Sequence, residues 1–171
     1  MTQNIDMNAE ANLNIDTFNR DALKAAMGCF ATGVTVVTTH LDGHDFGMTC
    51  NSFNTVSLDP AMVLWSIRKT SNSHDAFIKA AGYTVNILSG AQKDDAMKFT
   101  KGEHSARFLD VPQRRLDSGR LILTEASAWF DCEIHQIVAA GDHDILIGRV
   151  TAFASNERSP LAYVGGKFMS L

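Results

Sequence analysis

Three stretches of this chain carry residue types that could hold a ligand. Thr49, Cys50, Asn51 and Ser52 open a polar run that continues through Thr55 and Ser57 to an Asp59-Pro60 turn. Short hydroxyls and backbone N–H groups in such a run suit a polar, flat or phosphorylated ligand. Residues 61–67 (AMVLWSI) follow, six of the seven apolar, and read as a strand buried on both faces. A polar edge fixed to a stiff strand is a preorganised place to bind. The same stretch also reads as a polar surface hairpin ahead of a core strand.

The second stretch is Ser66-Ile67-Arg68-Lys69-Thr70-Ser71-Asn72-Ser73-His74. Arg68, Lys69, the hydroxyls and the free N–H groups of a helix start suit a phosphate. A solvated helix cap, with Ser73 as the capping residue and Arg68 in water, accounts for the same residues. The third stretch is Gly141-Asp142-His143, which by itself reads as a hairpin turn with an exposed histidine.

Other chemistries are excluded by what is missing. There is no glycine-rich dinucleotide fingerprint, no phosphate loop ending in Gly-Lys-Ser, and no Gly-x-Ser-x-Gly elbow. His40 and His44 straddle an Asp42-Gly43 turn and lack the helix that a zinc pair needs, so no metal site is expected.

The elements that must position these stretches follow from hydrophobic spacing. Asp16 or Thr17 caps an expected helix over residues 18–30, with Phe18, Ala22, Ala25, Ala26 and Phe30 near one face. Residues 34–40 (VTVVTTH) read as a strand, and Asp42-Gly43 turns the chain back into residues 46–50. A short helix over 74–81 ends at Gly82, residues 83–88 form a strand, and Ser89 caps a helix ending near Phe99. Residues 100–119, with mixed charges and Pro112, read as a long loop or lid. Two long strands, 126–138 and 145–155, flank the Gly141 turn, and the C-terminus offers one more short strand.

About seven strands that do not alternate strictly with helices predict a mainly β fold. An antiparallel barrel with peripheral helices fits better than a doubly wound sheet. Apolar residues from Met62 to Trp65 need a cover outside the barrel, and a second subunit forming a homodimer is the economical one.

The chain has 171 residues, 45% hydrophobic and 20% charged, as expected for one soluble globular domain. Its net charge of −4 argues against nucleic acid as the main partner. No apolar run reaches the roughly 18 residues of a membrane span. Residues 1–16 are polar, without the basic and apolar regions of a signal peptide, and are expected to be a flexible extension to a single domain over 17–171. Three widely spaced cysteines, Cys29, Cys50 and Cys132, fit reduced thiols in a cytoplasm.

Seven segments in order carry a resemblance: FATGVTVVTT, GMTCNSFNTVSLDPAMVL, IRKTSNSH, YTVNIL, WFDCEI, GDHDILIGRV and PLAYVGGKF. Together they resemble the short-chain NAD(P)H:flavin oxidoreductases, the flavin reductase components of two-component flavin-dependent monooxygenases. The resemblance implies a split β-barrel of the FMN-binding type, a homodimer, and hydride transfer from NADH, or NADPH, to FMN or FAD. It implies that reduced flavin diffuses to a partner monooxygenase. A flavin-binding electron carrier or storage protein without significant NAD(P)H oxidation is the alternative.

By the same resemblance, Thr49, Cys50, Asn51 and Ser52 line the flavin ring and ribityl chain, with Thr32 and Gly33 close to the ring. Ser66, Arg68, Lys69, Ser73 and His74 meet the flavin phosphate. Asp142 and His143 belong to the nicotinamide side, His143 as a positioning group, and no residue is a firm catalytic acid or base. Two departures stand out: Cys50 where the family often has Ala or Val, and Gly-Lys-Phe where an aromatic-His ending is usual. Asn86 and Trp129 are expected to serve the core. The sequence leaves open the choice between the two flavins and between the two nicotinamides, whether flavin is a tight cofactor or a passing substrate, and the partner oxygenase.

Overall fold

Alternating burial along the strands builds one curled sheet with apolar side chains on both faces. The computed structural model describes residues 19–171. Its strands are β1 (Thr32–Gly33), β2 (Thr35–Leu41), β3 (His44–Cys50), β4 (Asn54–Leu58), β5 (Ala61–Arg68), β6 (Gly82–Ile87), β7 (Gln113–Arg115), β8 (Leu121–Leu123), β9 (Ala128–Ala140), β10 (His143–Ser155), β11 (Leu161–Val164) and β12 (Lys167–Ser170). The helices are α1 (Arg20–Gly28), α2 (His74–Lys79), α3 (Lys93–Lys98) and α4 (His104–Arg107), with a 3-10 turn over Gly90–Gln92.

Seven strands form the main sheet in the order β3-β2-β6-β9-β10-β5-β4, every pair antiparallel. The fold is therefore mainly β, as expected. Its two edges, β3 and β4, are consecutive in sequence and joined by residues 51–53 alone. So short a link forces the sheet to curl until its edges nearly meet, and the cylinder stays split at that seam. The β2–β3 hairpin turns on Asp42 and Gly43, both at positive φ (51° and 77°), which matches the strands' right-handed twist. Where β10 crosses the barrel, a Cβ on Gly148 would collide with the Tyr83 ring, so only glycine lets the two elements approach.

The inner core gathers Val37, Val63, Trp65, Ile67, Phe77, Tyr83 and Leu146. The outer face of β2 carries a second core, in which Val34, Val36, Leu88 and Leu123 meet Phe99 and Phe108 from the segments around α3 and α4.

Several expectations change. Full burial on both faces belongs to the first five residues of β2 and of β6 rather than to β5. In β5 only Val63, Trp65 and Ile67 are buried, while Met62, Leu64 and Ser66 are half-buried. The reason is position: β5 lies next to the edge strand β4, and its alternate residues Met62, Leu64 and Ser66 stay half-buried among the described residues. The expected caps Asp16 and Thr17, the helix residue Phe18 and the extension 1–16 lie outside the described residues. Helix α1 starts from Asn19, whose side chain accepts from the Asp21 and Ala22 N–H groups at 2.9 and 3.1 Å. None of its residues is buried, and it ends at Gly28, two residues short of the expected Phe30. The expected loop over 100–119 contains α4 and β7, and the C-terminus forms a hairpin of two strands through Gly165 and Gly166 instead of one strand. Strand β4 falls within the expected polar edge, where Asn54, Thr55 and Ser57 interrupt its apolar residues. Asn86, fully buried, donates to Val36 O at 3.0 Å and accepts from Leu123 N–H at 2.8 Å, the core role expected of it. Trp129 is half-buried.

Candidate functional site

Where β3 ends, its last residues are pinned to the neighbouring helix. The Thr49 hydroxyl donates to Ala96 O at 2.6 Å, and the Thr49 N–H donates to Phe99 O at 3.2 Å. Thr35 Oγ1 donates to Cys50 O at 3.0 Å and sits 3.1 Å from Cys50 Sγ. Desolvation pushes the Cys50 thiol pKa up from its ordinary value, which disfavours the thiolate. Ser52 Oγ donates to Ser66 O and accepts from Ser66 N–H, both at 3.0 Å. The polar run is thus fixed on both sides of Asn51.

Three cavities surround this run. The first, about 400 Å³, is lined by Val34, Thr49, Cys50, Asn51, Met97, Thr100, Tyr163, Gly166 and Phe168. Tyr163 and Phe168 meet edge to face there, with ring centres 5.2 Å apart. The second, about 430 Å³, shares Thr49 and Thr100 with the first and is lined further by Met48, Thr70, Ser71, Asn72, Ser73, Phe99, Lys101, Gly102 and Arg107. The third, about 420 Å³, lies between Phe30, Thr32, Gly33 and residues 51–54, and shares Asn51 with the first. Thr32 Oγ1 is buried without a hydrogen-bond partner. Cavities of this size hold small ligands, and a mostly apolar wall with a few polar groups is their usual make-up.

The stretch Ser66 to His74 is divided by the structure. Residues 70–73 line the second cavity, whereas Arg68, Lys69 and His74 join the Gly141 turn. Arg68 faces His143 across the β5–β10 ladder. Lys69 Nζ donates to Gly141 O at 2.8 Å, and the Lys69 N–H donates to Asp142 O at 3.0 Å. His74 Nε2 lies 2.7 Å from Asp144 Oδ2. His143 Nδ1 lies 2.7 Å from Asp142 Oδ1, and that contact, with help from the Arg68 charge, holds the Asp142 pKa below the usual carboxylate value. The two halves remain neighbours through the chain at Lys69-Thr70.

Sequence reasoning missed Met97, Tyr163, Thr100, Lys101 and Arg107. Phe168 stands in the ending that departs from the usual pattern, and it lines the first cavity. Arg107 had a signal in principle, a basic residue between apolar neighbours in ARF, but its partners are backbone carbonyls that no side-chain pattern announces. Among the described residues no three His, Cys, Asp or Glu side chains converge as a metal site would require, and no helix is long and apolar enough to cross a membrane.

The arrangement fits a flat ring carrying a phosphorylated tail. An aromatic, largely apolar cavity opens into a polar one that holds a guanidinium, and the wall between them is a rigid strand end. A split antiparallel barrel with this double cavity has room and chemistry for a nucleotide cofactor. The chain belongs to the flavin reductase like domain family, whose profile matches residues 27–171.

The chain is 43% identical over 149 residues to the reductase component of flavin-dependent trigonelline monooxygenase from Acinetobacter baylyi. That match covers 86% of this chain but only 48% of the relative, so the chain spans about half of that protein's length. It is 38% identical over 150 residues to the FMN reductase (NADH) SmoA of Agrobacterium fabrum, covering 88% of this chain and 85% of SmoA. The Streptomyces globisporus NADH:FAD oxidoreductase SgcE6, solved in complex with NAD and FAD fragments, superposes with a TM-score of 0.85 at 32% identity, covering 90% of this chain and 93% of that one.

Proposed function

We propose that this chain is an NAD(P)H-dependent flavin reductase that passes hydride from NADH to FMN or FAD and supplies reduced flavin to a partner monooxygenase. The observation that carries this reading is the joined pair of cavities at Thr49 and Thr100, one aromatic and one polar, in a member of the flavin reductase family. Bound flavin supplies the hydride acceptor and its electronics. The protein's task is to bind, orient and exclude water.

In this reading Thr49, Cys50, Asn51 and Ser52 border the ring and ribityl chain, with Thr32 and Gly33 on the far side of Asn51. Residues 70–73 take the tail. Asp142 orients His143 toward the nicotinamide, while Arg68, Lys69 and His74 brace that turn. No nucleophile is needed for hydride transfer between the two cofactors, and the raised Cys50 pKa disfavours a thiolate there.

A homodimer belongs to the proposal. Leu58 is 96% exposed and Phe153 71% exposed, and both line an apolar groove of about 650 Å³ with Val56, Met62 and Phe130. Contiguous apolar surface of this kind marks an interface. The protein is proposed to be one domain from residue 17 onward, preceded by an extension, and to work in the cytoplasm, where its three free cysteines stay reduced.

The test is to mix protein with NADH and added FMN or FAD and follow loss of nicotinamide absorbance. Flavin-dependent oxidation of NADH is expected. Binding of flavin without oxidation of either nicotinamide would replace the reductase by a carrier.

A further inference from the structure

Residues 69–74 face two places at once. Their middle, Thr70 to Ser73, lines the polar cavity. Their ends hold the Gly141 turn. At one end the Lys69 N–H and Nζ donate to Asp142 O and Gly141 O, at 3.0 and 2.8 Å. At the other end His74 Nε2 donates to Asp144 Oδ2 at 2.7 Å. A carboxylate oxygen only accepts, which makes the ring nitrogen the donor.

Asp144 is buried, follows His143 in β10 and pairs with Ile67 of β5. Among the described residues His74 supplies the one hydrogen bond to its carboxylate. Lys69 Nζ stands 3.9 Å from Oδ1, close enough for an ion pair but not for a hydrogen bond. A buried carboxylate that loses its donor is costly, so the chain at 143–144 is held where His74 can reach it. On its other side His74 Nδ1 lies 3.5 Å from Asp75 Oδ1, and Asp75 Oδ2 accepts from Lys79 Nζ at 2.9 Å. The ring is thus fixed between α2 and β10.

Little slack separates the cavity from this bond. The Ser71 N–H donates to Arg68 O at 2.9 Å, and the His74 N–H donates to Ser71 O at 3.0 Å. The Ser73 N–H donates to Ser71 Oγ at 3.2 Å, and Ser73, 2% exposed, leads into α2. A ligand that fixes residues 70–73 therefore also fixes Lys69 and His74. The turn bearing His143 is then ordered before a second ligand arrives, and that ligand gives up less freedom on binding.

We infer that Asp144 is a positioning residue for the nicotinamide ligand, and that its bond to His74 carries the occupancy of the polar cavity to His143. This inference rests on the flavin reductase reading, with the flavin tail on residues 70–73 and the nicotinamide at His143. It makes the protein favour the dinucleotide once a phosphorylated flavin, rather than the bare ring compound, is seated.

The experiment measures the dissociation constant of NAD+, which passes no hydride to oxidised flavin, with saturating riboflavin and with saturating FMN. Stacking of the rings acts with both flavins, so the difference between them isolates the tail. Direct repulsion between two phosphorylated ligands would have the opposite sign. In the wild type, FMN is expected to leave NAD+ binding about fivefold tighter than riboflavin does, the low end of ordinary coupling between sites. In the double variant His74→Leu with Asp144→Leu, which leaves no buried carboxylate unpaired, that difference is expected to vanish. His74→Gln keeps a donor beside Asp144 and is expected to retain part of it. Lys69→Met, which releases the other link to the turn, carries the test if the double variant does not fold, and the difference should shrink there too. A wild type in which the two flavins act alike, or variants that keep the difference in full, would overturn the inference.

The flavin reductase reading can fail separately. If the wild-type protein oxidises no NADH, inorganic phosphate is the probe and the His143 ring signals in NMR are the readout. Shifts of those signals with phosphate in the wild type, absent in the double variant, would still support the link. The same shifts in both proteins, or none in either, would remove it.

Discussion

Ser52 and Ser66 are joined by a side chain acting as a strand. In the β4–β5 register Asn54 faces Leu64, so Ser52 falls opposite Ser66, but there the chain has already left for β3. The Ser52 hydroxyl takes over both ladder bonds, donating to the Ser66 carbonyl and accepting from its N–H at 3.0 Å each. One hydroxyl thereby stitches the split of the barrel beside Asn51. Ser52→Ala leaves two backbone groups without partners and is expected to cost about 1–3 kcal/mol, toward the low end because the site is half-buried. Urea denaturation measures this, and an unchanged midpoint would mean that water replaces the hydroxyl at no cost.

His143→Ala is expected to lower kcat/KM for NADH about tenfold, the rate equivalent of roughly 1.4 kcal/mol. Flavin affinity should stay near wild type, because His143 lines none of the cavities around Asn51. Arg68→Ala should shift kinetics in the same direction, since Arg68 faces His143 across the ladder. Equal loss of flavin and NADH binding in both variants would show that the turn shapes the whole pocket.

Acid stability should depend on His104. Its ring packs edge-on against Phe46 at 5.0 Å, and burial, then the Arg107 charge, holds its pKa below the ordinary 6.5. The folded protein therefore resists protonating it. The stability that this contributes is complete above pH 6.5 and is lost as pH falls from 6.5 through the depressed folded value. Asp45, whose pKa lies below 3.8, titrates outside that window. The drop in Tm between about pH 7 and pH 5 should be smaller in His104→Phe than in the wild type. Identical drops would rule this residue out as the source.

Light scattering should report twice the 18.6 kDa chain mass. Phe153→Glu places a charge in the exposed groove beside Phe130, whose ring centre lies 6.3 Å from that of Phe153. That variant is expected to shift the mass toward a single chain at micromolar concentration. A variant that remains at twice the chain mass would move the interface elsewhere.

The strands and their turns were legible because local chemistry dictates them. Asp42-Gly43 requires positive φ at both positions. In β9 the simple alternation fails, because the register slips at His135 and Asp131 is buried against Arg120. The polar run at Thr49 and the hydroxyl run at Thr70 were legible as ligand-binding stretches by residue type alone. Tertiary structure decided what those stretches became. It gave the double burial to β2, because packing of α3, α4 and the 121–123 strand against the sheet's outer face depends on where distant segments land. It divided the run after Ser66, sending Arg68 and Lys69 to the Gly141 turn and residues 70–73 to the cavity, a split that adjacency in sequence cannot express. It buried Arg107 among the carbonyls of Gly47, Phe99 and Gly102, since a bond to a backbone oxygen leaves no mark on the identity of its donor's partner. Side-chain periodicity reports which face a residue takes on its own element; only the fold brings together residues 50 or 100 positions apart.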